Sequence, residues 1–119
     1  MQNMKNPKIE SDVFFQEQTT DWEDVSDGIT RQFVGYNTQL MMVKIKFEKG
    51  AIGVLHNHFH SQVSYVAGGE FRVSVNGEDK ILKTGDGFYV SPNINHGVEC
   101  LEPGILIDVF SPVREDFLK

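Results

Sequence analysis

A single cysteine, Cys100, stands among the 119 residues, which excludes an internal disulfide framework and makes a reducing compartment the default expectation. Basic residues are also few: 11 against 17 acidic ones, a net charge of -6, with only three arginines, Arg31, Arg72 and Arg114. No Lys/Arg cluster stands out, so neither nucleic acid nor an anionic membrane is an expected partner. A chain this acidic can still bind a small anion, provided it places its cations locally. No run approaches the roughly 18 apolar residues of a membrane helix, and the start MQNMKNPKIE has no apolar core of signal-peptide length. The expected location is cytoplasmic. Repeats, linkers and low-complexity tracts are missing as well. The length fits one domain over residues 1–119, with the polar residues 1–10 expected to fray.

What is present is short-period alternation. In LMMVKIKFEKG, Val43, Ile45 and Phe47 alternate with Lys44, Lys46 and Glu48, the period of a half-buried strand. FRVSVNGEDKIL repeats the pattern with Phe71, Val73 and Val75, and Asn76-Gly77 reads as a hairpin turn. TGDG at 84–87 is another turn before the strand-like FYV, and GILIDVF reads as a fully buried strand. Turn signals recur about every 8–12 residues, the spacing of a sandwich or barrel. Helical periodicity is lacking apart from a short turn expected near DWEDV, residues 21–25. The expected fold is all-β.

Three of the four histidines fall in HNHFHSQ, residues 56–62. On a strand, His56 and His58 share a face, so both imidazoles can converge on one ion. His96, from a later turn-and-strand segment, and the amide oxygen of Gln62 complete a candidate N3O set with open positions. Zn, Ni, Fe, Mn or Cu would suit such ligands, and the metal's identity is not legible. His60 is read as a supporting or surface residue rather than a ligand. Three imidazoles and an amide leave the full +2 charge of a divalent ion uncompensated, so an anionic substrate is favoured.

Gly50, His56-Asn57-His58, Gln62 and Gly69 resemble the first cupin motif, with glutamine in place of its usual glutamate. Gly85-Asp86 followed by SPNINH, residues 91–96, resembles the second, with Ser91, Asn93 and Cys100 as departures. Asn93 is a mild one, because asparagine tolerates left-handed turn geometry best after glycine. The resemblance implies a double-stranded β-helix, or jelly-roll barrel, holding a metal inside, and a homodimer. A closer likeness, through HxHxHxQ, PNxxHG and LIDVFSPVREDF, is to KdgF-type proteins, which act on unsaturated uronates from pectin and alginate. That likeness places the metal ligands at His56, His58, Gln62 and His96, the acid/base at Asp108, and substrate contacts at Phe110 and Arg114.

Asp108 asks for an explanation of its own, because a carboxylate inside a core strand is rarely left unpaired. Either it pairs with Arg114 or backbone donors, or it is an acid/base whose pKa burial adjusts. Arg114 either forms an ion pair with Glu115 or Asp116 or clamps a substrate carboxylate. Phe110 shares a strand face with Asp108 and is either pocket wall or core. Tyr65 is read as packing, while Arg31 and Arg72 are left without a role. The expected activity is ring opening and ketonisation of a 4,5-unsaturated uronate, a small anionic sugar. The alternatives are a small dioxygenase with three-histidine iron and a sugar binder without catalysis.

Overall fold

A computed structural model of the chain describes residues 9–119. Of the segment expected to fray, residues 1–8 lie outside the described residues, while Glu10 forms an isolated bridge with Asn37. Eight strands follow: β1 (Glu23–Ser26), β2 (Ile29–Tyr36), β3 (Met41–Phe47), β4 (Ile52–His56), β5 (Ser61–Val75), β6 (Glu78–Lys83), β7 (Gly87–Val90) and β8 (His96–Ser111). All pairings are antiparallel, in the order β1-β2-β3-β8-β5-β6, with β4 added to β8 and β7 to β5. The expected turn at residues 21–25 is instead the start of edge strand β1, and the short 3-10 helices lie at Glu17–Thr19 and Glu115–Leu118.

The two long strands organise the barrel. The first half of β8 pairs with β4 and with Phe71–Val75 of β5, and its second half pairs with β3 and with Ser61–Val66. Between the halves the β5–β8 register shifts three times, around Gly68 and Glu70, which bends both strands. Gly69 sits at that bend with φ +83°, and a Cβ there would stand 2.5 Å from Gly104 Cα and Pro103 O. The hairpin at Asn76-Gly77 forms as expected, with φ values of 52° and 81° that fit a type I′ turn.

Side chains alternate across the barrel wall. Met41, Val43 and Phe47 are buried while Met42 and Lys46 between them are not. One core cluster joins Phe47, Phe71, Val66 and Leu106, with the Phe47 and Phe71 rings edge-to-face at 5.1 Å. A second joins Met41, Val43, Phe110 and Val113. GILIDVF is not fully buried: Leu106, Asp108 and Phe110 point inward, whereas Ile105, Ile107 and Val109 on the other face are only half covered. Tyr65 shares that outer face and is exposed, so it is not packing as expected.

Candidate metal centre and active site

Strand register sets the inner wall in successive rows. One row runs across the sheet through Met41, Phe110, Gln62 and Val90. The next runs through Phe33, Val43, Asp108, Ser64 and Phe88, and the third through Arg31, Ile45, Leu106 and Val66. Gln62 and Ser64 are two residues apart on β5, as are Asp108 and Phe110 on β8, so all four face the same interior. A cavity of about 840 Å³ opens between the core clusters, and His56, His96, Gln62, Asp108, Phe110 and Arg114 line it.

The histidines converge at the mouth of that interior. His56 ends β4 and lies directly opposite His96 at the start of β8, with ring centroids 4.3 Å apart. His58 lies beyond the end of β4, in the connection to β5, rather than on a strand face shared with His56. The connection aims it back, so the ligand-capable nitrogens of His56, His58 and His96 all lie within 4.8 Å of one another. Each ring is oriented by its own neighbourhood: Nδ1 donates to a carbonyl two residues away, Val54 O at 2.8 Å, His60 O at 3.1 Å and Ile94 O at 2.9 Å. Three tautomers are thereby set with Nε2 as the lone-pair atom, the arrangement found around metal ions. Asn57 donates its amide to Asn95 at 2.8 Å, and the Asn93 amide donates to His58 O at 2.7 Å, bracing the two histidine-bearing turns. Asn93 adopts the left-handed conformation expected of it, φ 66°.

Two observations show that the donor set fits a cation. His96 Nε2 is buried with no hydrogen-bond partner. Burial pushes its pKa down to about 4, and burial also lowers that of His58, so both rings are neutral at pH 7. His58 Nε2 meets Gln62 Oε1 at 2.9 Å, although a ring whose Nδ1 donates to a carbonyl has only a lone pair to offer there. Two acceptors at that distance repel unless a positive ion draws both. The amide orientation is fixed from its other end, because Gln62 Nε2 donates to Ser64 Oγ at 2.9 Å.

Ser64 in turn donates to Asp108 Oδ1 at 2.6 Å. Among the described residues no hydrogen bond or ion pair joins Asp108 to Arg114 or to a backbone donor. Burial pushes its pKa up to about 6, opposed by the Ser64 hydrogen bond and by the charge of Arg114. Arg114 makes the ion pair expected with Asp116, through Nε at 3.1 Å and Nη2 at 2.9 Å, and its guanidinium lies 5.1 Å from the centre of the Phe110 ring. Phe110 is both wall and core: it lines the cavity and anchors the second cluster. His60 is buried, not superficial. Its carbonyl orients His58, while its ring stacks on Phe59 at 3.9 Å and reaches Val113 O at 3.2 Å. Sequence reasoning missed Ser64, Phe117 and Arg31, the last two of which also line the cavity. Strand parity with Gln62 was the one available signal for Ser64.

Residues 43–110 match the cupin domain family, more than half of the chain. Over 107 residues the chain is 50% identical to the pectin degradation protein KdgF of Dickeya dadantii (strain 3937), covering 88% of this chain and 97% of that protein. This chain is a cupin of the KdgF family. The solved structure of KdgF from Halomonas sp. is 41% identical to this KdgF-family cupin, covers 90% of it and 99% of that chain, and superimposes with a TM-score of 0.86. An RmlC-like cupin from Shewanella frigidimarina NCIMB 400 is 53% identical with a TM-score of 0.89, covering 91% of this chain and 97% of that one. The barrel expected from the cupin motifs is thus the observed fold. No helix among the described residues is long and apolar enough to cross a membrane.

Proposed function

We propose that this KdgF-family cupin is an isomerase that opens 4,5-unsaturated uronates from pectin or alginate and ketonises them to linear keto acids. One observation carries the reading: a buried carboxyl with a pKa of about 6, Asp108, shares a cavity with His56 and His96 and is linked through Ser64 to Gln62. His56, His58, His96 and Gln62 would hold one divalent ion, Zn, Ni, Fe, Mn or Cu. Such an ion supplies Lewis-acid stabilisation of negative charge developing on substrate oxygens.

The reaction moves one proton and loses no atoms. Asp108, ionised, takes the proton of the anomeric hydroxyl as C1=O forms and the C1–O5 bond breaks. The electron pair of that bond stays on O5, giving the enolate O5–C5=C4. Asp108 then returns a proton to C4 and the C5 oxygen becomes a ketone. A pKa near 6 suits both halves, since each form is accessible near neutral pH. Arg114 would hold the sugar carboxylate with the Nη1 end left free by Asp116, and Phe110 would fix the ring plane.

The test mixes metal-loaded protein with fresh unsaturated monouronates made by pectin and alginate lyases and follows loss of the conjugated double bond in the ultraviolet. Loss faster than the spontaneous rate, abolished in Asp108→Asn and without oxygen uptake, supports the isomerase. A rate equal to background on both sugars would overturn it.

The protein is proposed to work in the cytoplasm as a homodimer. Support for the dimer comes from the outer sheet face, where Met42, Val109, Val63 and Tyr89 form one cross-strand row and Tyr65 extends it. Met42, Val63, Tyr65 and Tyr89 are exposed apolar side chains. Sedimentation equilibrium, with Val63→Glu as the disrupting variant, checks it.

A further inference from the structure

The chain has three arginines, and the structure separates them into two kinds. Arg72 lies on the surface, paired with Glu99 at 2.6 Å. Arg31 and Arg114 both line the central cavity, with side chains only 15% and 11% exposed. Each stands over the same ring, that of Phe117: the guanidinium carbons lie 4.2 and 4.1 Å from its centroid. Two positive charges are therefore held within about 8 Å of each other, about one screening length at physiological ionic strength. Phe117 comes from the 3-10 helix Glu115–Leu118, Arg31 from β2 and Arg114 from the segment after β8, so three separate elements build the arrangement.

Among the described residues Arg31 and Arg114 each have one acidic partner, and each partner takes the same edge of the fork. Glu23 Oε1 receives Arg31 Nε at 2.8 Å and Nη2 at 2.6 Å. Asp116 receives Arg114 Nε at 3.1 Å and Nη2 at 2.9 Å. Among the described residues neither Nη1 has an acidic partner. Glu23 and Asp116 are about half exposed, so their charges are screened by water on the outside while the guanidiniums border the cavity. Arg31 also sits one wall row below Asp108, on the cavity side of β2. The Phe117 ring, close to both guanidiniums, stabilises them electrostatically without occupying their donors.

The geometry points to Arg31 as the second cation of a two-arginine carboxylate subsite, with Phe117 as its platform and Arg114 as its other half. The ligand class is a sugar acid, and the subsite is where it is told apart from a neutral sugar. This inference rests on the uronate reading of the cavity but is tested by binding rather than turnover.

The experiment uses the metal-loaded protein with D-galacturonate and D-galactose, saturated sugars that differ in the acid group, and measures affinity by calorimetry. Wild-type protein is expected to prefer the acid. Arg31→Met is expected to weaken galacturonate binding about tenfold, about 1.4 kcal/mol, and to leave galactose unchanged. Glu23→Gln breaks the same ion pair but keeps the cation, and is expected to bind the acid at least as well as wild type. Arg31→Met binding galacturonate with wild-type affinity, with Arg114→Met still weakened, would overturn the role of Arg31 and leave the uronate reading standing. Equal losses in Arg31→Met and Glu23→Gln would also overturn it, since the ion pair would then matter only for packing. Equal wild-type affinity for the acid and the neutral sugar would sink the uronate reading itself.

Discussion

Ser64 and Asp108 lie directly opposite each other across the β5–β8 ladder, and the serine hydroxyl donates to the carboxylate at 2.6 Å while accepting from Gln62 Nε2 at 2.9 Å. One hydroxyl thus sets both the amide that faces His58 and the carboxyl that faces the cavity. Ser64→Ala should lower kcat about ten- to a hundredfold, the usual scale for losing such a support. The pH limb assigned to Asp108 should move upward, because the lost hydrogen bond favoured the ionised form. Ser64→Thr should recover most of the rate. A pH–rate profile of the three proteins checks all of this, and an unmoved limb in Ser64→Ala would show that the contact has no part in the chemistry.

Asp108 also makes a prediction about stability. Its pKa rises from 3.8 to about 6 on folding, chiefly through burial. The native state therefore holds the proton between those values when the unfolded chain has released it. Stability from this group is fully present below pH 3.8, falls as pH rises through 6, and stays reduced above. Asp108→Asn should remove the dependence, making the metal-free variant more stable than wild type at pH 8, by on the order of 3 kcal/mol, and no more stable at pH 3.5. Urea unfolding of both proteins with the metal stripped measures the difference.

Metal binding should stabilise the fold by mass action, about 2.7 kcal/mol at a hundred times the dissociation constant. The thermal midpoint should rise when metal is returned to the chelator-treated protein. His96→Ala should abolish that rise. His60→Ala should keep it, because the part His60 plays toward the centre belongs to its backbone carbonyl. Differential scanning calorimetry with and without metal distinguishes the two variants.

Gly50 and Gly69 both have positive φ, 86° and 83°, but their surroundings differ. Nothing stands within 4 Å of a Cβ built at Gly50, so Gly50→Ala should cost only the left-handed backbone, about 1–2 kcal/mol. At Gly69 the added carbon would meet backbone atoms at 2.5 Å, so Gly69→Ala should cost clearly more or prevent folding. Denaturant midpoints of the pair separate backbone strain from collision at the bend.

Much of this was legible in the chain. Val43 and Phe47, with Phe71 and Val73, alternate because one face of each strand is buried, and Asn76-Gly77 turns because both residues accept positive φ. The grouping of His56, His58 and His96, whose ligand-capable nitrogens lie within 4.8 Å of one another, was legible from residue type and spacing. The role of Arg31 was not, because its place in the wall depends on cross-strand register with Ile45 and Leu106 rather than on its neighbours in sequence. Ser64 gives no chemical signal until Asp108 is set opposite it. GILIDVF misled because an apolar outer face at Ile105, Ile107 and Val109 looks the same in sequence as a second buried one. The HxH pair was expected on one strand, but β4 stops at His56, and carbonyl contacts rather than pleat geometry aim His58.

The wall rows carry one last consequence. Gln62 and Ser64 on β5, and Asp108 and Phe110 on β8, belong to the two strands around which the rest of the barrel is paired, not to a loop that opens by itself. Parts of a protein that exchange amide protons only through complete opening are of this kind. Heating should therefore show no interval in which the barrel persists while these four residues have lost their arrangement. Inner wall and folded chain will be lost as a single event.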